Sequence, residues 1–101
     1  MQAVIDIQVR TERGETLARG ARGFDWSQEL IDLDPSAFPM LSGLCAFLDT
    51  MFNERQLPLL IDELDRLPSG VALDDGSRAE IRRLCAIART GSHRYLWFLG
   101  D

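Results

Sequence analysis

The stretch "RYLWFLG", residues 94–100, decides the fold. It is short, apolar and rich in aromatic residues, a composition that predicts a strand. Side chains alternate along a strand, so Tyr95, Trp97 and Leu99 point to one face and Leu96 and Phe98 to the other. A strand that is apolar on both faces belongs in the interior of a sheet. We therefore expect it to lie against the first strand of the chain, with further structure beyond it.

That first strand is "AVIDIQVR", residues 3–10. Ala3, Ile5, Ile7 and Val9 fall on one side and Val4, Asp6, Gln8 and Arg10 on the other, the alternation of a half-buried strand. "TERGET" follows, in which Gly14 can supply the positive φ of a turn. "ETLARGAR" then returns as a weaker strand whose glycines and arginines suit a sheet edge. The pair predicts an N-terminal hairpin.

Between the hairpin and the last strand the pattern is helical. "FDWSQELIDLDP" (24–35) reads as a short helix, with Asp25 as cap, Gln28 three residues on, and Trp26, Leu30 and Leu33 along one side. Pro35 ends it. "FPMLSGLCAFLDT" (38–50) has no clear period and fits a buried strand, a loop or a helix start. "NERQLPLLIDELDRLPSG" (53–70) is the clearest helix. Asn53 and Gln56 form a capping pair, Pro58 sits in the first turn, and Leu57, Leu60, Ile61 and Leu64 make the apolar stripe. Glu54, Asp62, Glu63 and Asp65 fall mostly off that stripe. A third helix, "SRAEIRRLCAIART" (77–90), opens at Ser77 and Glu80 and buries Ile81, Leu84, Cys85 and Ala88, with Gly91 in the C′ position. The expected fold class is α+β: a small antiparallel sheet, made of the N-terminal hairpin and the C-terminal strand, with two to three helices packed on one face, in a single domain over 1–101.

Composition agrees with an ordinary globular domain. The 101 residues are 46% hydrophobic and 27% charged. A chain of this length buries roughly two-thirds of its unfolded surface, so no metal or disulfide is needed for folding. Cys45 and Cys85 lie far apart among apolar neighbours and read as free buried thiols. Residues 38–48, the longest mostly apolar run, fall short of the ~20 residues that span a bilayer. With no secretory signal pattern either, a soluble cytoplasmic protein is expected.

The net charge is −5, and every cation is arginine. Through Gly23 there are three acids and four arginines; from Phe24 to Asp65 there are nine acids against Arg55 alone; from Arg66 on there are four acids and six arginines. An acidic middle repels phosphate backbones, which argues against nucleic-acid binding, and attracts basic partners. Solubility alone is the plainer account of the same charge.

Chemistry is hard to find. His93, the single histidine, adjoins Ser92, but neighbours on an extended chain diverge and no nucleophile–His–carboxylate set follows. No phosphate-binding, nucleophile-elbow, zinc or dinucleotide motif occurs. Carboxylate pairs such as Asp32 and Asp34, Asp62 and Asp65, or Asp74 and Asp75 fit solvated faces better than a catalytic dyad or a calcium loop. The sequence therefore predicts no catalytic residue, metal or cofactor. It points to a non-enzymatic protein-binding domain, immunity-like or antitoxin-like, that presents an acidic surface to a basic partner. Its contact residues would be Asp25, Trp26, Glu29, Asp32, Asp34, Asp62, Glu63 and Asp65, with Trp26 as aromatic anchor. The alternative is a small-ligand-binding or self-associating accessory domain. Two-faced apolarity in residues 94–100 makes a homodimer through the sheet face one form of it, unless residues 36–50 cover that face.

"DTMFNERQLPLLIDELDRL" followed by "HRYLWFLGD" resembles a group of small actinobacterial proteins over roughly the C-terminal two-thirds of the chain. The matching residues are Asp49, Thr50, Phe52, Asn53, Gln56, Glu63, Leu64, Tyr95, Phe98, Gly100 and Asp101. That group has no established activity, so the resemblance implies no catalytic residues. It draws attention to the polar cluster Asp49, Thr50, Asn53 and Gln56 as a candidate site. Helix capping and turn formation would explain the same four residues without function.

Overall fold

The computed structural model describes residues 3–100, so Asp101 of the resemblance lies outside the described residues. Along the chain run β1 (Val4–Thr11), β2 (Thr16–Arg19), β3 (Phe24–Asp25), α1 (Gln28–Ile31), a 3-10 turn (Leu41–Gly43), β4 (Thr50–Phe52), α2 (Leu57–Arg66), α3 (Asp75–Ala88) and β5 (Arg94–Leu99). The sheet is antiparallel in the order β2-β1-β5-β4, and β3 also pairs with β1. This is the α+β architecture expected, with β5 in the sheet interior.

The alternation in β1 and β5 sets the two faces. Ile5, Ile7 and Val9 from β1, Leu96 and Phe98 from β5 and Phe52 from β4 are buried. α3 packs across β1 and β5 on that side, burying Ile81, Leu84, Cys85 and Ala88 as its periodicity predicts. Phe98 meets Phe24 and Phe52 edge-on, with ring centroids 6.1 and 5.7 Å away. On the opposite face Tyr95, Trp97 and Leu99 are only half-covered.

β1 and β2 are joined by a turn in which Gly14 takes φ +88°, a conformation that costs other residues a steric penalty. The return strand is then broken. Gln8 pairs with Arg19 and Ile5 with Phe24, so residues 20–23 bulge opposite Asp6 and Ile7. α3 clamps the bulge. Ala21 N–H donates to Glu80 (2.9 Å), and Arg83 donates to the Arg19 carbonyl (3.0 Å).

The segment 24–35 corrects the expectation of a helix from Asp25. Phe24 and Asp25 form β3, and the cap is Ser27, whose Oγ accepts from Leu30 N–H at 3.2 Å. α1 is one turn long. Leu30 and Leu33 are buried, and Trp26 packs half-buried against the core.

Residues 36–50 also settle on the helical side. Leu41, Leu44 and Ala46 enter the core, so this segment builds the interior. On the outer sheet face Asp6 and Met51 are exposed, and Gln8, Arg10, Tyr95, Trp97 and Leu99 are half-buried. Its anchor is Glu63. Only 2% exposed, that carboxylate accepts hydrogen bonds from Met40 N–H (3.1 Å) and Leu41 N–H (3.0 Å). The segment ends in β4, an edge strand that the sequence pattern does not reveal. Gly100 passes so close to it that a Cβ there would lie 2.6 Å from the Ala46 carbonyl carbon.

The reciprocal Asn53–Gln56 bonds form as expected, but they close the turn before α2, which starts at Leu57 and has Gln56 as an N-cap without a side-chain capping bond. Gln56 Oε1 accepts from Asn53 N–H (2.9 Å) and Asn53 Oδ1 from Gln56 N–H (3.1 Å), while Pro58 sits in the first turn. Arg78 then gathers the link to α3, donating to the carbonyls of Leu67, Pro68, Val71 and Leu73. α3 begins earlier than Ser77: Asp74 is the cap, accepting from Ser77 N–H at 2.7 Å. Among the described residues the left-handed glycines are Gly14 and Gly70, so Gly91 does not close α3 in that conformation. No helix of the described residues is long and apolar enough to cross a membrane.

Candidate functional site

The bulge at 20–23, the start of α1, the segment 70–74 and the first turns of α3 enclose an open cleft of about 640 Å³. Its walls carry Asp25, Glu29, Asp74 and Glu80, against one cation, Arg22. The fold produces this wall indirectly. The broken edge strand turns Asp25 and Glu29 toward the start of α3, whose own cap is an aspartate.

Two of the four carboxylates, Glu80 and Asp74, are held in the charged form by their neighbours. The Arg83 guanidinium beside Glu80 (2.6 Å), followed by the Ala21 N–H, holds its carboxyl below the ordinary glutamate range. Hydrogen bonds from the Ser77 backbone and side chain lower Asp74. A general acid at neutral pH needs a raised pKa, so neither group suits that role. The arrangement can receive a cation. Among the described residues no group of three or more His, Cys, Asp or Glu side chains is placed to hold a metal ion.

The acidic residues singled out in the sequence divide into three groups. Asp25 and Glu29 line the cleft, and Asp32 and Asp34 continue from α1 into the next turn. Asp32 accepts from Gln28 Nε2 (2.9 Å), and Asp34 from Ser36 N–H (3.0 Å). Asp62 and Asp65 lie elsewhere, on the exposed side of α2. Each has a cation of its own: Arg66 at 2.9 Å and Arg82 at 2.5 Å. Glu63 is a correction. Placed off the stripe by helical spacing, it is buried because residues 36–44 cover a second flank of α2, and it cannot meet a partner.

Trp26 sits between the cleft and residues 44–49. Its ring meets Phe47 edge-on at 5.4 Å, and its buried indole N–H has no hydrogen-bond partner. Phe47 and Leu48 beside it are largely exposed, at 62% and 68%.

Each member of the polar cluster has a structural task. Asn53 and Gln56 bond each other in the turn before α2, Asp49 Oδ1 accepts from Gly100 N–H (3.1 Å), and Thr50 opens β4 opposite Phe98. They line neither the acidic cleft nor a second, shallower cleft of about 360 Å³ near His93. There His93, with φ +58°, immediately precedes β5, with its ring largely exposed and Nδ1 3.5 Å from Glu12. Arg82 and Arg83 are spent on Asp65 and Glu80.

By sequence Asp74 reads as part of a solvated carboxylate pair and Glu80 as a residue of the helix start, and Arg22 does not stand out; all three reach the cleft only through tertiary placement. Arg10 lies with its guanidinium over the Trp97 ring, 5.1 Å from the centroid, on the outer sheet face. The chain matches no protein-family model, and no curated protein or solved structure is significantly similar to it.

Proposed function

We propose that this chain is a non-enzymatic protein-binding domain that presents its acidic cleft, and the α1 corner beside it, to a basic partner in the manner of an immunity protein or antitoxin. One observation carries the reading: four carboxylates line an open cleft of about 640 Å³ with Arg22 as the one cation among its lining residues. A long arginine or lysine side chain fits such a space and meets carboxylates there, of which Asp74 and Glu80 are held in the charged form by their neighbours. Asp32 and Asp34 extend the negative potential outward, which speeds encounter more than it strengthens the final complex. Trp26 and the exposed Phe47 offer apolar contact at the edge. The unpaired thiols of Cys45 and Cys85 suit a reducing cytoplasm.

The test is an NMR titration with short arginine- and lysine-bearing peptides. Shifts confined to residues 21–29 and 74–80, suppressed by salt and absent in Glu29→Arg, are the expected result. Peptides that leave these residues unmoved, or that act equally on the variant, refute it. The self-associating alternative is favoured by a separate feature, the outer face of the sheet, where Met51 is exposed and Tyr95, Trp97 and Leu99 are half-buried.

A further inference from the structure

We infer that the outer sheet face is a self-complementary surface that receives a second copy of this chain. The argument concerns a surface distinct from the acidic cleft and does not depend on the reading above.

The outward side chains lie in rows. Gln8, Trp97 and Met51 are cross-strand neighbours in the central row. On one side of it lie Asp6 and Leu99, and on the other Arg10 and Tyr95. Asp6 and Arg10 are each two residues from Gln8, roughly 7 Å along the strand in opposite directions. Neither belongs to an ion pair among the described residues.

A two-fold axis along the central row, between two sheets packed face to face, reverses the strand direction and keeps the strand order. It sets Trp97 against Trp97, Tyr95 against Leu99, and Asp6 of each copy against Arg10 of the other. Two-fold contacts require such self-complementarity. Arg10 is prepared for it: its Nε donates to Gln8 Oε1 at 2.9 Å, Thr16 Oγ1 supports the same oxygen at 3.2 Å, and the guanidinium rests on Trp97. Arg19, opposite Gln8 on β2, falls at the rim, where water screens it. The four strands, eight, four, six and three residues long and about 4.8 Å apart, offer on the order of 350 Å² per copy. That total, about 700 Å², lies below the about 1,000 Å² of stable specific interfaces, so a weak, reversible dimer that forms toward millimolar concentration is expected.

Sedimentation equilibrium on the whole chain, up to roughly 1 mM, reads the dimer directly, since weak specific contacts fall within that range. Asp6→Arg and Arg10→Asp, each folded by circular dichroism, should each weaken self-association on the order of a hundredfold, because each sets like charges together twice. An equimolar mixture of the two variants should dimerise again, because their charges complement each other. A wild-type chain that stays monomeric throughout, an Asp6→Arg variant that dimerises like the wild type, or a mixture that stays monomeric overturns the inference.

Discussion

Along β5, Leu96 and Phe98 are 0% and 1% exposed, whereas Tyr95, Trp97 and Leu99 between and beside them are only half-covered. The residue types are similar on the two sides; the neighbours differ. Phe98 is enclosed by two other phenylalanines and by α3, while Trp97 is flanked by Gln8 and Met51 and roofed in part by Arg10. Stability therefore belongs to the even-numbered residues of this strand, and recognition is open to the odd-numbered ones. The same split runs through the charges. Glu63 is sealed inside to hold the 36–44 segment, while Asp25 and Glu29 face the cleft.

The sharpest way to break this contrast is Phe98→Ala. Removing the ring from a packed aromatic trio should cost about 3–5 kcal/mol in urea unfolding, and a cost below that of an exposed truncation would dissolve the distinction between the faces. Glu63→Ala comes next. It strands the N–H groups of Met40 and Leu41 in the interior, and a loss of about 3 kcal/mol is expected; Glu63→Gln, which retains an acceptor oxygen, should lose much less.

A third prediction uses pH. Burial pushes the Cys85 thiol up to about 11 from its ordinary value of 9.0. The native state thus keeps the proton that the unfolded chain releases first. Stability from this group is complete below pH 9 and falls as pH rises from 9 to about 11, by about 2–3 kcal/mol in all. Cys85→Ala should lack that part of the alkaline decline in a melting series. The smallest effect is expected at Trp97. At a dilution where only monomer exists, Trp97→Ala should cost under about 1 kcal/mol, which with Phe98→Ala brackets the two sides of one strand.

Local rules were legible wherever one neighbour in sequence satisfies another. The alternation in β1 and β5, the turn at Gly14, the Asn53–Gln56 bonds and the apolar stripes of α2 and α3 follow from period and capping chemistry. What failed needed distant contacts. β3 and α1 are too short to show a period, and the cap proves to be Ser27, on the far side of Trp26 from Asp25. β4 is a three-residue strand hidden behind an apolar run and defined only by its pairing with β5. Glu63 looked solvent-facing because helical spacing knows nothing of the segment that folds over it. The acidic cleft was half legible: Asp25 and Glu29 stood out by charge, but Asp74 and Glu80 join them only through the bulge and α3.

That bulge has a consequence for how far assembly can proceed. Long unbroken sheet borders let chains add strand after strand without limit. Here one border is interrupted at 20–23 and fastened by Glu80 and Arg83, and the other is the three-residue β4. Neither offers a template for fibrous growth, so concentrated solutions of this protein should remain free of filaments even where its aromatic surface is left bare.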